Sequence, residues 1–102
     1  MHVESMDISQ IEEKSGQAAR LLKMLSNQHR LLILCHLVQK ELCVSELEEQ
    51  LQISQSSLSQ HLAKLREQGI VDFRKEGTTV WYHLADAKAK RVLETLYELY
   101  CA

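Results

Sequence analysis

The sequence contains no proline, no low-complexity tract and no internal repeat. No linker is long enough to separate domains, and 102 residues suit one domain over 1–102. No apolar run is long enough to cross a bilayer, so a membrane-spanning role is set aside. The N-terminus, MHVESMDISQIEEK, is acidic where a secretion signal is basic and then apolar. With no export signal the cytoplasm is the expected compartment, where cysteines stay reduced unless they have redox or metal work. The three cysteines include no Cys-x-x-Cys pair, which argues against a thiol enzyme such as a small peroxidase or reductase.

A basic surplus is also missing. The formal net charge is −2, which counts against nucleic-acid binding, because phosphate contacts need local positive charge. Distribution matters more than the sum. Acid is concentrated in Glu4, Asp7, Glu12 and Glu13 and again in Glu46, Glu48 and Glu49. Between residues 54 and 79, Lys64, Arg66, Arg74 and Lys75 slightly outweigh Glu67, Asp72 and Glu76. The core of so small a domain is limited, so a second subunit covering more apolar surface is expected.

Apolar spacing organises what is present. Ile8, Ile11, Ala18, Leu21, Leu22 and Leu25 recur near a helical period and predict a first helix from Ser5–Ser9 to Leu25. Asn27 suits the N-cap of a second helix holding Arg30 to Gln39, with Leu31, Leu34, Cys35 and Val38 on one face. In a short third helix Cys43 stands where a capping Ser or Thr is usual, with Glu46 three residues on as in a capping box, and Leu47 and Leu51 facing inward. Ser54 caps a fourth helix with Leu58, Leu62 and Leu65 as its buried stripe, and Gly69 suits the left-handed stop. Ile70 to Arg74 and Val80 to Leu84 alternate like paired strands around a Glu76-Gly77-Thr78-Thr79 tip. Asp86 caps a last helix whose apolar face carries Val92, Leu93, Leu96, Tyr97 and Tyr100. The order is four helices, two strands and a final helix: mainly α with a β-hairpin wing, a winged helix-turn-helix. The first and last helices flank a core that closes without them, which predicts a homodimer through those two helices; two reading helices would also match a two-fold operator.

The polar face of the fourth helix is the candidate for reading double-stranded DNA. Gln55, Ser56, Ser57 and Ser59 fall in its first turns, the end that enters a major groove, followed by Gln60, His61 and Lys64. Lys64 and Arg66 offer phosphate contacts. Arg74, Lys75, Thr78 and Thr79 are the wing candidates, for phosphates or the minor groove. A merely solvated polar face is the alternative for the helix taken alone; the preceding short helix and the following hairpin favour DNA.

ELCVSELEEQL followed by ISQSSLSQHLAKLREQGIVDFRKEGTTVWYHL resembles the ArsR/SmtB family of dimeric bacterial repressors. The resemblance runs from about Ala18 to Cys101 and implies a regulator that leaves its operator when an inducer binds. Thiolate-metal sensors of the family carry Cys-Val-Cys-x-x-Cys in the third helix; here those positions are Cys43, Ser45 and Glu48. Its zinc sensors carry Asp-x-His on the last helix; here the run is Asp86-Ala87-Lys88, with no histidine beyond His83. One thiolate and a cation make poor metal sites, so no metal and no cofactor are expected. His29, His36 and His61 are helical histidines, more often surface or interface groups than ligands.

Cys35 in Ile-Leu-Cys and Cys101 in Leu-Tyr-Cys, 66 positions apart, resemble the sulfide-responsive BigR/SqrR/HlyU-like branch of that family. The resemblance implies a redox-sensing pair within one subunit, with a reactive sulfur species or oxidant as inducer. A thiolate attacks a persulfide or polysulfide sulfur, and the second thiol closes a disulfide or a longer bridge. Buried packing is the alternative for Cys35; it is weaker for Cys101, near a fraying end. Three further readings stay open: a metal- or metalloid-responsive repressor using Cys43, a thiol-independent winged-helix regulator, and a winged helix that binds protein instead of DNA.

Overall fold

The computed structural model describes residues 6–102; Ser5, at the expected start of the first helix, lies outside them. Its elements are α1 (Ile8–Leu25), α2 (Gln28–Gln39), β1 (Leu42–Cys43), α3 (Val44–Leu51), α4 (Gln55–Glu67), β2 (Val71–Glu76), β3 (Thr79–Leu84) and α5 (Ala87–Tyr100). The winged helix-turn-helix expected from the sequence is the fold observed. One strand was not expected: Leu42 and Cys43 pair antiparallel with Tyr82 and Trp81, giving a three-stranded sheet ordered β1-β3-β2. Two residues carry no readable alternation, so only the chain path exposes this pairing.

Local chemistry sets most boundaries. The side chains of Asp7, Asn27, Ser54 and Asp86 each accept a backbone N–H of the first turn of α1, α2, α4 and α5. Glu46 accepts the N–H of Cys43 at 3.0 Å, the reciprocal arm of the capping box. At the end of α4, Gly69 N–H donates to Arg66 O and Ile70 N–H to Leu65 O, both at 2.9 Å. That is a Schellman stop, and Gly69 holds the left-handed φ of +74° it requires. The wing runs in register from Val71 opposite Leu84 to Glu76 opposite Thr79. Gly77 (φ +63°) takes the first place of the two-residue turn, as a type II′ hairpin requires.

Leu58, Leu62 and Leu65 of α4 are buried as their spacing indicates. They join Leu25, Leu42, Leu47, Ile70, Val71, Ala89 and Leu93 around Ile33, Leu34 and Leu37 of α2. The buried face of α2 differs from the expected one. Leu31 and Val38 are half-buried edge residues, Cys35 is exposed, and Ile33 and Leu37 hold the centre. Apolar residues occupy nearly every position from Leu31 to Val38, so the period has too little amplitude to choose a face. α1 and α5 leave apolar side chains in solvent, notably Ile8, Ile11 and Leu22 on one, Tyr97, Leu99 and Tyr100 on the other.

The start of α2 also meets the middle of α4. The His29 and His61 rings pack edge to face, 5.8 Å between centroids, and His61 Nδ1 is sealed from solvent with no hydrogen-bond partner among the described residues. Loss of hydration, then the charges of Arg30, His29 and Lys64, hold the His61 pKa below its ordinary 6.5.

Two stability predictions follow from these contacts. No atom lies within 4 Å of a Cβ added at Gly69, so Gly69→Ala pays only for the left-handed backbone; urea unfolding is expected to show a loss of roughly 1–2 kcal/mol. The fold disfavours the charged form of His61, which is more readily protonated when unfolded. Its contribution is therefore present above pH 6.5 and declines as pH falls toward the depressed folded value. Thermal melts of wild type and His61→Gln across pH 7.5 to about 5 are expected to show a shallower decline in the variant; identical slopes would remove His61 as the cause.

Candidate nucleic-acid interface and dithiol site

The helix-turn-helix is α3, a bend, and α4. Gln52 makes the bend with a left-handed φ of +53°, its N–H donating to Glu48 O. Gln55, Ser56, Ser59, Gln60 and Lys64 are all exposed on α4 and form one continuous polar face. Ser57 is half-buried, and its N–H is the one Ser54 Oγ caps at 3.1 Å. His61 is the departure on this helix. Its ring turns toward His29 of α2, so it braces the reading helix more than it presents a donor outward.

The wing sorts its charges in the same way. Arg74 does not project a free guanidinium from the tip. Its Nη2 lies 2.6 Å from Glu41 Oε1, its Nη1 2.8 Å from Glu76 Oε2, and its guanidinium 5.6 Å from the Trp81 ring centre. These carboxylates hold Arg74 firmly protonated, and Arg74 in turn holds the Glu41 carboxyl below its usual range. Arg66 is engaged as well, 3.5 Å from Asp72 and stacked 4.0 Å over the Phe73 ring centre. Among the described residues no carboxylate pairs with Lys64 or Lys75. Lys75 and Thr78 are exposed at the tip, and Thr79 is half-buried at the start of β3. Among the described residues, Lys64 on the helix and Lys75 on the wing are thus without an ion-pair partner.

Sequence reading missed three contributors to this face. Glu41 anchors Arg74 across a separation of 33 residues. His29 packs on His61 from another helix. Arg30 closes the open end of α1, its Nε donating to Met24 O at 2.8 Å and its Nη2 to Lys23 O at 3.2 Å. Only the last had a signal, a cation just beyond a helix end.

The cysteines separate by environment. Cys43 is buried, its Sγ 3.2 Å from Ser45 Oγ. Glu48, half-buried on the next turn, leaves Oε1 without a partner among the described residues. No three His, Cys, Asp or Glu side chains converge as a metal site among the described residues. Cys35 and Cys101 are both exposed and unbridged. Cys101 caps the end of α5, its N–H donating to Tyr97 O at 2.8 Å. Partial burial pushes the Cys35 thiol up, and the neighbouring Cys101 thiolate pushes it further. Cys35 thus lies on α2 and Cys101 at the end of α5, an element packed against α2, and charge on Cys101 disfavours the Cys35 thiolate.

Comparison with known proteins agrees with this architecture. Residues 27–72 match the model of the bacterial regulatory protein, arsR family. The chain is 48% identical to the transcriptional activator HlyU of Vibrio cholerae over 96 residues, covering 94% of this chain and 89% of that one. It is 45% identical to the biofilm growth-associated repressor of Agrobacterium fabrum, covering 95% and 87%. Among solved structures, the repressor BigR from Xylella fastidiosa superposes with a TM-score of 0.90 at 42% identity, over 95% of this chain and 99% of the other. Reduced HlyU from Vibrio cholerae gives 0.87 at 48% identity, over 91% and 98%. The chain belongs to the ArsR family of winged-helix transcriptional regulators, in the branch that holds HlyU and BigR.

Proposed function

We propose that this regulator is a cytoplasmic homodimeric repressor that occupies operator DNA while Cys35 and Cys101 are reduced and leaves it when they are bridged. The observation that carries the reading is the pairing of exposures: the two cysteines that influence each other are accessible, while the third is buried. Gln55, Ser56, Ser59 and Gln60 read base edges, Lys64, Lys75 and Thr78 contact phosphate, and Arg74, Ser57, His61 and Thr79 hold the helix and wing in shape. Dimerisation covers the apolar stripes of α1 and α5, which otherwise leave Ile8, Ile11, Leu22 and Leu99 in water.

The inducer is a reactive sulfur species. The Cys35 thiolate attacks the outer sulfur of a persulfide R–S–S–H; the S–S bond breaks, R–S⁻ leaves and is protonated, and Cys35 holds the persulfide. The Cys101 thiolate then attacks Cys35 Sγ, a disulfide forms, and hydrosulfide leaves. The persulfide is the two-electron oxidant, reduced to thiol and hydrosulfide. A second equivalent, attacked by the Cys35 persulfide before closure, lengthens the bridge by one sulfur and releases one more R–SH; hydrosulfide still leaves once, at closure. A plain disulfide needs the Cα atoms within about 7 Å, a limit that extra sulfur relaxes. The bridge ties α2, which packs on the reading helix, to α5, which carries the dimer stripe.

Mass spectrometry after polysulfide treatment is expected to find a Cys35–Cys101 crosslink, with operator affinity in a shift assay falling by roughly 5- to 150-fold. Cys35→Ser and Cys101→Ser should abolish both effects and Cys43→Ser neither. Normal release by Cys35→Ser would sink the switch, and release by zinc, cadmium or arsenite that survives this substitution would favour a metal sensor using Cys43. For the DNA contacts, Lys75→Ala is expected to lower affinity across sequences and to reduce the slope of log affinity against log salt by about 1. Arg74→Ala should change that slope less, because its charge is already matched by Glu41 and Glu76.

A further inference from the structure

The guanidinium of Arg74 is closed by carboxylates on two sides. Its Nε donates to Glu41 Oε1 and Oε2, both at 3.2 Å, and its Nη2 donates to Oε1 at 2.6 Å. On the other side Nη1 donates to Glu76 Oε2 at 2.8 Å. We propose that Glu41 is a specificity-determining residue for DNA recognition: it holds Arg74 on the sheet and off the phosphate backbone, and so lowers affinity for DNA that lacks the operator sequence. The inference rests on the reading of the wing as a DNA contact and deepens it by giving a role to a residue outside that contact.

The edge that Glu41 occupies, Nε with Nη2, is one with which an arginine grips a phosphate, two N–H donors against two oxygens. A carboxylate there is an internal stand-in for that phosphate. The sheet supplies the geometry. Arg74 of β2 lies opposite Trp81 of β3, and Trp81 lies opposite Cys43 of β1, so the three side chains share one face. Glu41 stands two residues before Cys43 and meets the guanidinium on that face, 5.6 Å from the Trp81 ring centre. Cys43 is also the N-cap of α3. The pair therefore ties the wing to the first helix of the helix-turn-helix.

The pair sits in water: the Arg74 side chain is 47% exposed and that of Glu41 36%. Exposed pairs of this kind contribute little to stability, so the larger consequence of Glu41 is to occupy the arginine fork. Arg74 holds the Glu41 carboxyl below its usual range, which keeps it ionised and in place near neutrality. A phosphate contact adds attraction without regard to sequence, and releasing one counterion is worth up to about eightfold at about 0.1 M salt. On non-operator DNA no base contacts fix the register, so a freed guanidinium finds a phosphate in any register. On the operator α4 fixes the register, and a wing untied from α3 is seated less well there. Freeing Arg74 therefore strengthens non-operator binding more than operator binding.

The test measures binding of the full-length reduced protein by fluorescence anisotropy across a salt series. Two duplexes are compared: one selected from a random-sequence library by the wild-type protein, and a scrambled duplex of the same length and composition. Glu41→Gln is expected to raise affinity for the scrambled duplex about fivefold at about 0.1 M salt and to steepen its slope of log affinity against log salt by about 0.9. Affinity for the selected duplex should rise by less, so the ratio between the two falls. Glu41→Ala, which leaves no acceptor, should do the same, and Glu76→Gln, which frees only Nη1, should steepen the slope less. In an Arg74→Ala background Glu41→Gln should change neither affinity nor slope. If the gain persists in that background, loss of a repelling carboxylate explains it and the proposal is overturned. An unchanged slope in both Glu41 variants, or an equal gain on both duplexes, overturns it as well, while DNA reading by α4 stands. If Lys75→Ala leaves the slope on both duplexes unchanged, the wing does not meet DNA; that reading then fails and takes this inference with it.

Discussion

The burial of one ridge, Ile33, Leu34 and Leu37 of α2, is the constraint on which the rest of the molecule depends. The first two are fully buried and Leu37 nearly so. Removing each from water is worth about 1.5–3 kcal/mol before entropy is counted. α2 touches each of the other four helices and β3, so it is the element against which the others are positioned. The described core holds no buried polar or charged residue, so shape and apolar area alone fix this packing. Its two ends have different neighbours. The start of α2 braces the reading helix through His29 and His61, and its later turns carry Cys35 beside α5. In the proposed switch a covalent tie at one end therefore acts on an element already packed against the output at the other.

A net charge of −2 stops being an objection once the charges are located. Arg66 and Arg74 are spent locally, on Asp72, Glu41 and Glu76, and on the faces of Phe73 and Trp81. These exposed pairs contribute little energy singly. Together they span the loop before β1 and both sides of the wing, and so give it a defined shape. Acid here neutralises structural arginines and leaves Lys64 and Lys75 to face outward. A nearly neutral reading surface relies on hydrogen-bonding side chains, and its affinity then depends on fit as well as on counterion release.

The expectations that survived and those that changed divide along one line. Caps, the Gly69 stop, the hairpin turn and the stripe of α4 all rest on interactions within a few residues, and they stand where the sequence puts them. Cys35 was grouped with Leu31, Leu34 and Val38, yet it is exposed. Arg74 pairs with Glu41, a partner that spacing does not reveal. Each change comes from a neighbour that is remote in the chain.

By itself the sequence determined the order of the five helices and the wing, the polar face of α4 and the place of the hairpin turn. Those features are written in short-range hydrogen bonds and in apolar spacing that repeats with the backbone's own period. Only the tertiary structure decided which face of α2 is buried, that β1 joins the sheet, that His61 turns to His29, and that Cys35 is exposed beside an open trough between α2 and α5. A helix apolar on nearly every side has no period to reveal its orientation, and contacts across tens of residues exist only once the whole core has closed.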